Sequence, residues 1–307
     1  MAIIKSMEYF RVPPRWLFVK VTDEDGNFGW GEASLEGHTQ AVEGCLDAWF
    51  TKFKGHDADL ARKEQGFHAV KMNGTGDVCW LDSPSVLDDV VQRIKVVKSL
   101  GMDAAVDFHG RVHKPMAKQL AALLQPHRPL FIEEPLLPEN IGGIKELSQL
   151  TTCPIALGER LYSRWDVRPY LEAGCVDVLQ PDICHVGGIS ELRRIASMAE
   201  AYDVALAPHC PLGPIALAAN VQVDAVSSNF AIQEMSVGIH YNNTGQDIET
   251  YIKNPEIWKV EDGYINVLSG PGLGIEVDEE MVRKLSKDCV PWDSPSFRGP
   301  DGEIREW

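Results

Sequence analysis

From residue 68 to residue 234 the chain repeats one pattern of apolar and polar positions. A short apolar run ends in a polar residue, a turn rich in glycine or proline follows, and an amphipathic stretch of roughly ten to seventeen residues comes next. The apolar runs predict seven strands, which are HAVKMN at 68–73, AAVDFH at 104–109, LFIE at 130–133, IALGE at 155–159, VDVLQPD at 176–182, VALAPH at 204–209 and FAIQE at 230–234.

Helices are predicted between these strands, at Ser85–Leu100, Met116–Leu124 and Ile189–Tyr202. The third helix has one apolar stripe at helical spacing, formed by Leu192, Ile195, Ala196 and Ala199. Continuous apolar strands that alternate with helices indicate a parallel sheet covered on both faces. Because a strand recurs about every 25 residues, the pattern favours an α/β fold of the TIM-like (β/α) barrel type over an open doubly wound sheet.

The strand count of this barrel falls one short. A (β/α) barrel has eight strands, whereas the pattern shows seven. The segment GHDADLARK at 55–63 is too short to hold a strand and its turns. A helix predicted at Asp59–Gln65 leads directly into the first visible strand, so the first strand of the barrel is expected to be missing.

The two ends of the chain follow other patterns. Trp16–Val21 and Phe28–Glu32 flank a turn that contains Asp25-Gly26, and together they predict a β-hairpin. A helix is predicted at Thr39–Phe53. The segment after Ile265 is rich in proline and glycine and is expected to wrap back over the other regions.

Composition excludes several classes of function. The chain has 307 residues and a formal net charge of −16, so it has no electrostatic footprint for nucleic acid or for an anionic membrane. Its seven cysteines are scattered without a CxxC pair, which fits a reducing compartment. No segment approaches the length of a signal peptide or a membrane span. A cytoplasmic protein is therefore expected.

Polar residues end the seven strands at similar intervals. They are Asn73, Asp107, Glu133, Glu159, Asp182, His209 and Glu234. In a parallel barrel the carboxyl ends of all strands surround one mouth, where active sites are built. These side chains are therefore expected to lie close together.

Three successive strands end in carboxylates, at Asp107, Glu133 and Glu159. Carboxylates that converge repel one another unless a hard cation neutralises them, and oxygen-only ligands suit Mg²⁺. The alternative is that each residue caps the helix that follows its strand. Three such residues in succession, each at the end of an apolar strand, favour the magnesium site.

The next two strands end in a possible base and its orienting group. A carboxylate such as Asp182 fixes the tautomer of a neighbouring imidazole and raises its pKa, which makes His209 a candidate general base. A hydrogen-bonded core histidine is the alternative for His209. His109 lies two residues after Asp107 and is a candidate acid, and Glu234, if neutral, could donate a hydrogen bond to a developing oxyanion.

Lys71 and Asn73, on the first visible strand, are candidate substrate-binding residues. Lys71 is a plausible cation beside a substrate carboxylate, with a solvated surface lysine as the alternative. His185, in the segment ICHVGG at 183–188, could touch the substrate but receives no assignment. The remaining histidines gain no role from their spacing.

The set of a divalent metal, a base and an acid suits proton abstraction next to a carboxylate. The α-proton of a carboxylate is too weakly acidic for imidazole alone, and Mg²⁺ bound to the carboxylate stabilises the enediolate that forms. A second histidine can then protonate a leaving β-hydroxyl. The expected outcome is dehydration.

Segments along nearly the whole chain resemble the enolase superfamily, in its mandelate racemase subgroup, and most closely its acid-sugar dehydratases. The matching segments are PPRW at 13–16, GWGE at 29–32, KMNG at 71–74, VDFHGRVHKPMAK at 106–118, PLFIEEP at 129–135, GERLYSR at 158–164, LQPD at 179–182, GGI at 187–189, APHCPLGPIALAA at 207–219 and GIHYN at 238–242.

The resemblance implies a (β/α)7β barrel capped by an α+β domain. The capping domain would comprise residues 1–58 and receive the returning segment 241–307, with the barrel at 59–240. The resemblance implies that Asp107, Glu133 and Glu159 bind Mg²⁺, that His209 with Asp182 removes the C2 proton and that His109 assists loss of the 3-hydroxyl. Glu234 would stabilise the intermediate. The substrate would be a galactonate-like aldonate, and the subunits would form a symmetric homo-oligomer.

The chain departs from this family in two places. Racemases of the subgroup carry KxK where this chain reads Lys71-Met72-Asn73, and loss of the second lysine argues against proton exchange on both faces of the substrate. A stretch is also missing after about Asp59. That stretch would hold the remaining helices of the cap, a loop that covers the substrate and the first barrel strand.

Alternatives in other classes stay open at this point. A Zn²⁺ hydrolase on a similar barrel could use His109, His209 and Asp182, although the chain has no HxH pair. A dehydratase of another aldonate is a second alternative. A shortened, catalytically impaired form that acts through assembly with full-length subunits is a third.

Overall fold

The structure is a computed structural model that describes most of the chain. The described residues are 4–12, 16–26, 28–32, 63, 65–74, 78–237, 247–286, 297–298 and 304–305. The helix predicted at Thr39–Phe53 lies outside them, as does most of the helix predicted at Asp59–Gln65.

The first described unit is an antiparallel sheet of three strands. They are β1 (Ile4–Val12), β2 (Trp16–Asp23) and β3 (Phe28–Glu32), in the order β1-β2-β3. The β2–β3 pair confirms the predicted hairpin. Gly26 in its turn has φ +85°, a conformation that glycine adopts without steric cost. Sequence analysis did not predict β1, whose residues lack a strict alternation of apolar and polar positions.

A parallel sheet of six strands forms the centre of the structure. Its strands are β4 (Ala69–Asn73), β5 (Asp103–Asp107), β6 (Ile132–Glu133), β7 (Ile155–Leu157), β8 (Val178–Leu179) and β9 (Ala205–Leu206), paired in that order. Each lies within a predicted run or overlaps it. The strands are shorter than the runs, and the predicted site residues lie at the strand ends or in the loops that follow them.

Helices follow the strands in alternation. They are α1 (Asp88–Ser99), α2 (Lys114–Leu124), α3 (Ile141–Ser148), α4 (Arg164–Ala173), α5 (Ile189–Glu200) and α6 (Pro214–Asp224). Short 3-10 turns occur at Pro84–Leu87, Gln125–His127 and Pro255–Trp258. The buried stripe of α5 is the predicted one, namely Leu192, Ile195, Ala196 and Ala199. None of the described helices has both the length and the apolar composition needed to cross a membrane.

The alternating strand and helix order confirms the predicted α/β, TIM-like fold. The seventh predicted strand joins the sheet through one parallel bridge, Leu206 to Phe230, and the Ala231 amide donates to the Leu206 carbonyl over 2.8 Å. Within the described residues no pairing returns from this segment to β4.

Side-chain alternation divides the sheet residues between two cores. A large outer cluster packs the sheet against its helices and contains Ala104, Val106, Ile132 and Leu179. A small inner cluster contains Ala105, Phe131, Ala156, Val178 and Ala207. Because successive side chains of a strand point to opposite faces, the residues two positions after the inner ones face the same interior. Those residues include Asp107, Glu133, Gln180 and His209.

Within the described residues, no strand lies between β4 and residues 230–237 and pairs with both. Phe230 and Ile232 each keep 37% of their surface exposed, and the residues of β4 are only partly buried, whereas β6, β7 and β8 are fully buried. A cavity of about 360 Å³ lies between the two edges, with Ala69, Lys71, Ile232 and Val237 among its lining residues. We call this opening the seam. Its position is that of the expected missing strand.

The later part of the chain packs on the outer core. Ile248, Ile252, Trp258 and Leu268 belong to the same cluster as the barrel residues. Further on lie α7 (Glu279–Ser286) and a two-stranded sheet of β10 (Phe297–Arg298) and β11 (Ile304–Arg305). The predicted domain boundaries, including the return of residues 241–307 to a capping domain, stay a prediction.

Hydrogen exchange should reveal the seam within a single strand. The Asp103 amide donates to the His68 carbonyl and the Gly74 amide to the Asp107 carbonyl, so alternation directs the amides of Val70 and Met72 to β5. The amides of Ala69 and Lys71 then face the seam. We expect these two to exchange on the order of tenfold or more faster than their neighbours, measured by NMR. Equal protection of all four amides would show that the seam is closed.

Candidate active site

The three predicted metal-binding carboxylates lie at neighbouring strand ends in the barrel interior. Asp107 ends β5, Glu133 ends β6, and Glu159 follows β7 by two residues. Their exposed fractions are 3%, 1% and 9%. Gly158 permits this placement, because a Cβ atom there would lie 2.5 Å from the backbone carbonyl carbon of Gln180. Glycine therefore allows β7 to approach β8 just before Glu159.

The carboxylates do not cap the helices that follow them. The residues at the N-caps of α2, α3 and α4 are His113, Asn140 and Ser163. The Asn140 and Ser163 side chains accept hydrogen bonds from the first turns of their helices. The capping alternative for the three carboxylates is thus contradicted, and their burial needs another explanation.

Lys71 provides part of that explanation. Its Nζ lies 2.7 Å from Glu133 Oε1, 3.2 Å from Glu234 Oε1 and 3.7 Å from Asp107 Oδ2. Burial alone would lower the pKa of Lys71, but the three negative charges outweigh it and raise that pKa well above its usual value. Lys71 is therefore a charged residue of the barrel interior, and the solvated-surface alternative is contradicted.

His209 lies between two carboxylates. Its Nδ1 is 2.9 Å from Asp182 Oδ2, and its Nε2 is 3.2 Å from Glu159 Oε2. Burial would lower the pKa of His209, but the hydrogen bond to Asp182 and the charges of Glu234 and Glu159 raise it. Burial would raise the pKa of Asp182, but its bonds to His209 and to the Cys184 amide lower it. Asp182 is thus held as an anion that orients the imidazole.

His109 reaches Glu159 from another strand end. Its Nδ1 lies 3.3 Å from Asp107 Oδ2 and 3.9 Å from Glu159 Oε1. The residue has a left-handed backbone with φ +54°, and its amide donates to Asp107 Oδ1 over 2.7 Å. This local turn, in which an aspartate side chain accepts from the amide two residues on, directs the ring towards the interior.

The remaining predicted residues join the cluster to different degrees. Glu234 accepts a hydrogen bond from the Cys210 amide over 2.8 Å and lies 3.2 Å from Lys71 Nζ. The prediction was that a neutral Glu234 donates a hydrogen bond, whereas both of these neighbours are donors to it. Asn73 is exposed at the end of β4, and its backbone carbonyl accepts from Arg93. His185 lies at the rim, where its ring centroid is 6.2 Å from that of His209.

Sequence analysis missed Gln180. Its Nε2 donates to Glu133 Oε2 over 2.8 Å, and its Oε1 is buried without a hydrogen-bond partner. Gln180 therefore fixes the orientation of Glu133 from the side opposite Lys71. The signal was present in the sequence, because Gln180 lies between Val178 and Asp182 at the spacing of two that selects inward-facing positions.

A second missed pair is Glu134 with Arg160. Glu134 is only 1% exposed, and its Oε2 lies 3.1 Å from Arg160 Nε. The same Nε is 3.6 Å from Glu159 Oε1. Arg160 is thus a second cation among the carboxylates. Glu134 and Arg160 each directly follow a predicted metal ligand in the sequence. Because successive side chains of a strand point to opposite faces, sequence analysis would place both outside the barrel interior.

The carboxylates of this cluster exceed its cations. Within the described residues it contains six acidic side chains, and Lys71 and Arg160 oppose them. Burial raises the pKa of Glu133 to about 8 and that of Glu134 to about 9, although Lys71 and Arg160 act in the opposite direction. These raised pKa values reflect the cost of burying the two carboxylate charges. An additional cation would remove this penalty.

The donor set suits a hard cation, although the described His, Cys, Asp and Glu side chains do not form a ready group of three around one point. Lys71 and the two histidines lie between the carboxylates in this arrangement. Glu159 Oε2 is buried without a hydrogen bond of acceptable geometry. Oxygen-only donors with an unsatisfied buried oxygen are what Mg²⁺ and similar cations bind.

The comparison with protein families gives a match over most of the chain. A profile described as enolase C-terminal domain-like matches residues 56–281. D-galactonate dehydratase from Variovorax paradoxus (strain S110) is 36% identical, and the enzyme of that name from Ralstonia pickettii (strain 12J) is 38% identical. Both alignments cover 99% of this chain and 100% of the relative.

A solved structure agrees with these relatives. An enolase from Agrobacterium radiobacter, bound to Na and L-malate, has a TM-score of 0.70 and 28% identity, with coverage of 99% of this chain and 100% of that chain. The sequence alignments also show a difference in length. They run over 381 positions, whereas this chain has 307 residues, so 381 − 307 = 74 positions or more have no counterpart here. This supports the expectation of a missing internal stretch.

Removing Lys71 should destabilise the metal-free protein. Lys71→Met leaves Glu133, Asp107 and Glu234 without their shared cation, and we expect a loss of about 3–5 kcal/mol in the free energy of unfolding. The double variant Lys71→Met/Glu133→Gln should recover part of that loss. Lys259→Met is the control, because Lys259 forms an exposed ion pair with Glu261. Its free energy of unfolding, measured by urea denaturation, should equal that of the parent. Equal stability of Lys71→Met and the control would contradict the interior role of Lys71.

Proposed function

This chain belongs to the enolase superfamily as a hydro-lyase of the acid-sugar dehydratase type, and we propose that it converts D-galactonate to 2-dehydro-3-deoxy-D-galactonate. One observation carries the proposal. Two imidazoles from different strand ends face the two carboxylate oxygens of Glu159, with His209 at 3.2 Å and His109 at 3.9 Å. A candidate base, His209, and a candidate acid, His109, therefore lie on either side of one carboxylate. The named relatives support the choice of substrate.

His209 is the proposed base. Asp182 is an anion and accepts from Nδ1–H, so the lone pair of the neutral ring resides on Nε2. Nε2 then takes the C2 proton of the substrate. Asp182 stabilises the imidazolium that forms, as its 2.9 Å contact with Nδ1 allows. No second lysine follows Lys71 on β4, where residue 73 is asparagine, so proton removal from one face is expected.

His109 is the proposed acid for the second half of the reaction. As the C3–O bond breaks, the electron pair left at C2 forms the C2–C3 double bond, and the His109 proton leaves with the hydroxyl as water. The enol that remains tautomerises to the 2-keto product. Proton transfers of this kind each contribute typically 10²–10⁴-fold to the rate.

Asp107, Glu133 and Glu159 are the proposed ligands of Mg²⁺. Members of the superfamily typically bind a divalent metal, and the excess of buried carboxylate described above supports a cation here. When bound, the metal would lower the cost of placing negative charge on the substrate carboxylate. Gln180 and Lys71 orient Glu133 from two sides. We retain Lys71 and Asn73 as candidate contacts of the substrate, and Glu234 as the residue that faces the developing charge beside Lys71.

A second candidate is a catalytically impaired form of the same enzyme. The seam between β4 and residues 230–237 favours it, as does the missing stretch relative to the dehydratases. The residues proposed for metal binding and for acid and base catalysis are all present. This candidate would therefore catalyse the same reaction, with a lower stability and a lower rate. A zinc hydrolase is disfavoured, because the relatives and the oxygen-only donor set point to the dehydratases.

We also propose a cytoplasmic homo-oligomer that binds neither nucleic acid nor membrane. The net charge of −16 supports the absence of a nucleic-acid partner. The five described cysteines, Cys79, Cys153, Cys175, Cys184 and Cys210, are free thiols, which supports a reducing compartment. Cys45 and Cys289 lie outside the described residues.

A screen of acid sugars tests the reaction. The full chain, supplied with Mg²⁺, is expected to form a 2-keto acid from D-galactonate. The product is measured by trapping its ketone with semicarbazide. His209→Asn should lower turnover by about 10²–10⁴-fold because it removes the base, whereas His127→Asn, at a surface turn after α2, should not. Near-normal turnover by His209→Asn would refute the base assignment. Turnover of a different epimer alone would correct the substrate.

Thermal melting tests the metal site without any substrate. A ligand that binds only the folded state must stabilise it, by about 2.7 kcal/mol at a concentration of 100 Kd. Mg²⁺ should therefore raise the melting temperature of the parent protein, and the rise should disappear in Glu159→Gln. A rise that Zn²⁺ produces and Mg²⁺ does not would contradict the assignment, as would an equal rise in the variant.

A further inference from the structure

We propose that Arg160 is a positioning residue that holds His109 in the orientation needed for proton donation. The inference rests on the proposed function, because it assigns Arg160 to the step in which water is lost. It starts from contacts that Arg160 makes with three strand-end segments of the barrel. These segments carry His109, Glu134 and Glu159.

Arg160 links the loops after three consecutive strands. Its Nη2 donates to the His109 carbonyl over 3.2 Å, and its Nε lies 3.1 Å from Glu134 Oε2. Glu159 Oε1 is 3.6 Å from the same Nε. The Arg160 side chain is only 17% exposed, so these contacts lie largely away from solvent. One guanidinium therefore connects the loops that follow β5, β6 and β7.

Two of these loops contain strained backbone. His109 has φ +54° and Glu134 has φ +37°, and residues other than glycine rarely adopt such values. The loops also hold each other, since the Gly110 amide donates to the Glu134 carbonyl over 2.9 Å. Strained conformations of this kind persist only where surrounding contacts fix them. Arg160 supplies contacts to both residues, one to a carbonyl and one to a carboxylate.

The geometry requires the fork of an arginine. Nη2 donates to the His109 carbonyl while the charged Nε lies beside Glu134 Oε2, and the planar guanidinium fixes these two nitrogens relative to each other. A lysine at this position has a single ammonium group on a flexible chain, which supplies the charge beside Glu134 without a fixed second donor. The charge and the geometry can thus be separated by the substitution Arg160→Lys.

The two histidines depend on Arg160 to different extents. The His109 carbonyl is a direct partner of Arg160, and the same backbone turn sets the direction of the His109 ring. His209 is oriented by Asp182 from the loop after β8, through Nδ1 at 2.9 Å. Loss of Arg160 should therefore impair the acid step and leave the base step largely intact.

The experiment measures the two steps separately in Arg160→Met, Arg160→Lys and the double variant Arg160→Met/Glu134→Gln. The double variant removes the carboxylate that loses its partner, in case the single variant folds poorly. Dehydration of D-galactonate reports the acid step, and incorporation of deuterium at C2 in D₂O reports proton removal by the base. Arg168→Met is the control, because Arg168 is 60% exposed and pairs with Glu172 on α4.

Dehydration should fall by about 100-fold in Arg160→Met, the loss typical of a reacting group misplaced by about 1 Å. Exchange at C2 should stay within a few-fold of the parent, because His209 keeps its partner. The dehydration rate of Arg160→Lys should lie between those of Arg160→Met and the parent. The control Arg168→Met should match the parent in both rates. Equal losses of exchange and dehydration would show a general structural role and overturn the proposal, as would parental dehydration in Arg160→Met.

A readout without metal or substrate completes the test. In protein labelled with ¹⁵N-histidine, the ring signals of His109 should shift in the Arg160 variants while those of His209 stay unchanged. If the parent neither dehydrates nor exchanges, the proposed reaction fails and these signals alone decide the role of Arg160. An unshifted His109 signal in Arg160→Met would overturn the positioning role of Arg160.

Discussion

The structure depends on how it compensates acidic side chains that are buried together. Asp107, Glu133, Glu134, Glu159 and Asp182 are each at most 9% exposed and lie at neighbouring strand ends. Burying a charge without a partner is costly, so the folded state must place cations, donors or protons among them. Lys71, Arg160 and His209 do so from different strands. Burial nevertheless raises the pKa values of Glu133 and Glu134, and this excess of buried carboxylate is what supports the proposed metal site.

The same constraint links fold to chemistry. A parallel sheet directs the carboxyl ends of its strands to one edge, so residues spaced about 25 apart in the chain meet there. Inward-facing positions are small and apolar in one layer, at Ala105, Ala156 and Ala207, and polar in the next. The apolar layer lies below the site and lines part of the cavity at the seam, and the polar layer carries the carboxylates and the His209 imidazole. The structure thus uses one alternation rule for both its inner core and its reactive groups.

Within the part of the chain that the structure describes, the seam is the main departure from a complete barrel. It places exposed apolar residues, Phe230 and Ile232, at one edge of the sheet and partly exposed β4 at the other. Lys71 projects from β4 and contacts Glu234 from the opposite edge. This ion pair therefore joins the two edges within the described residues where a strand would otherwise pair with both. Lys71 consequently couples stability to the proposed catalysis, since the lysine that joins the edges also orients Glu133.

The sequence by itself determined the α/β class, the positions of the strands and most of the interior residues, because strand periodicity is a local property. It also identified Asp107, Glu133, Glu159, Asp182 and His209 as neighbours, since parallel strands end at one edge. Tertiary structure alone decided the roles of Glu134 and Arg160, and it identified the partner of Gln180, whose inward position the spacing of two indicates. Their partners come from other strand ends, at 2.8 Å between Gln180 and Glu133 and 3.1 Å between Arg160 and Glu134. It also decided the left-handed turns at His109 and Glu134, because a strained backbone is maintained by contacts from distant parts of the chain and has no signature in local composition.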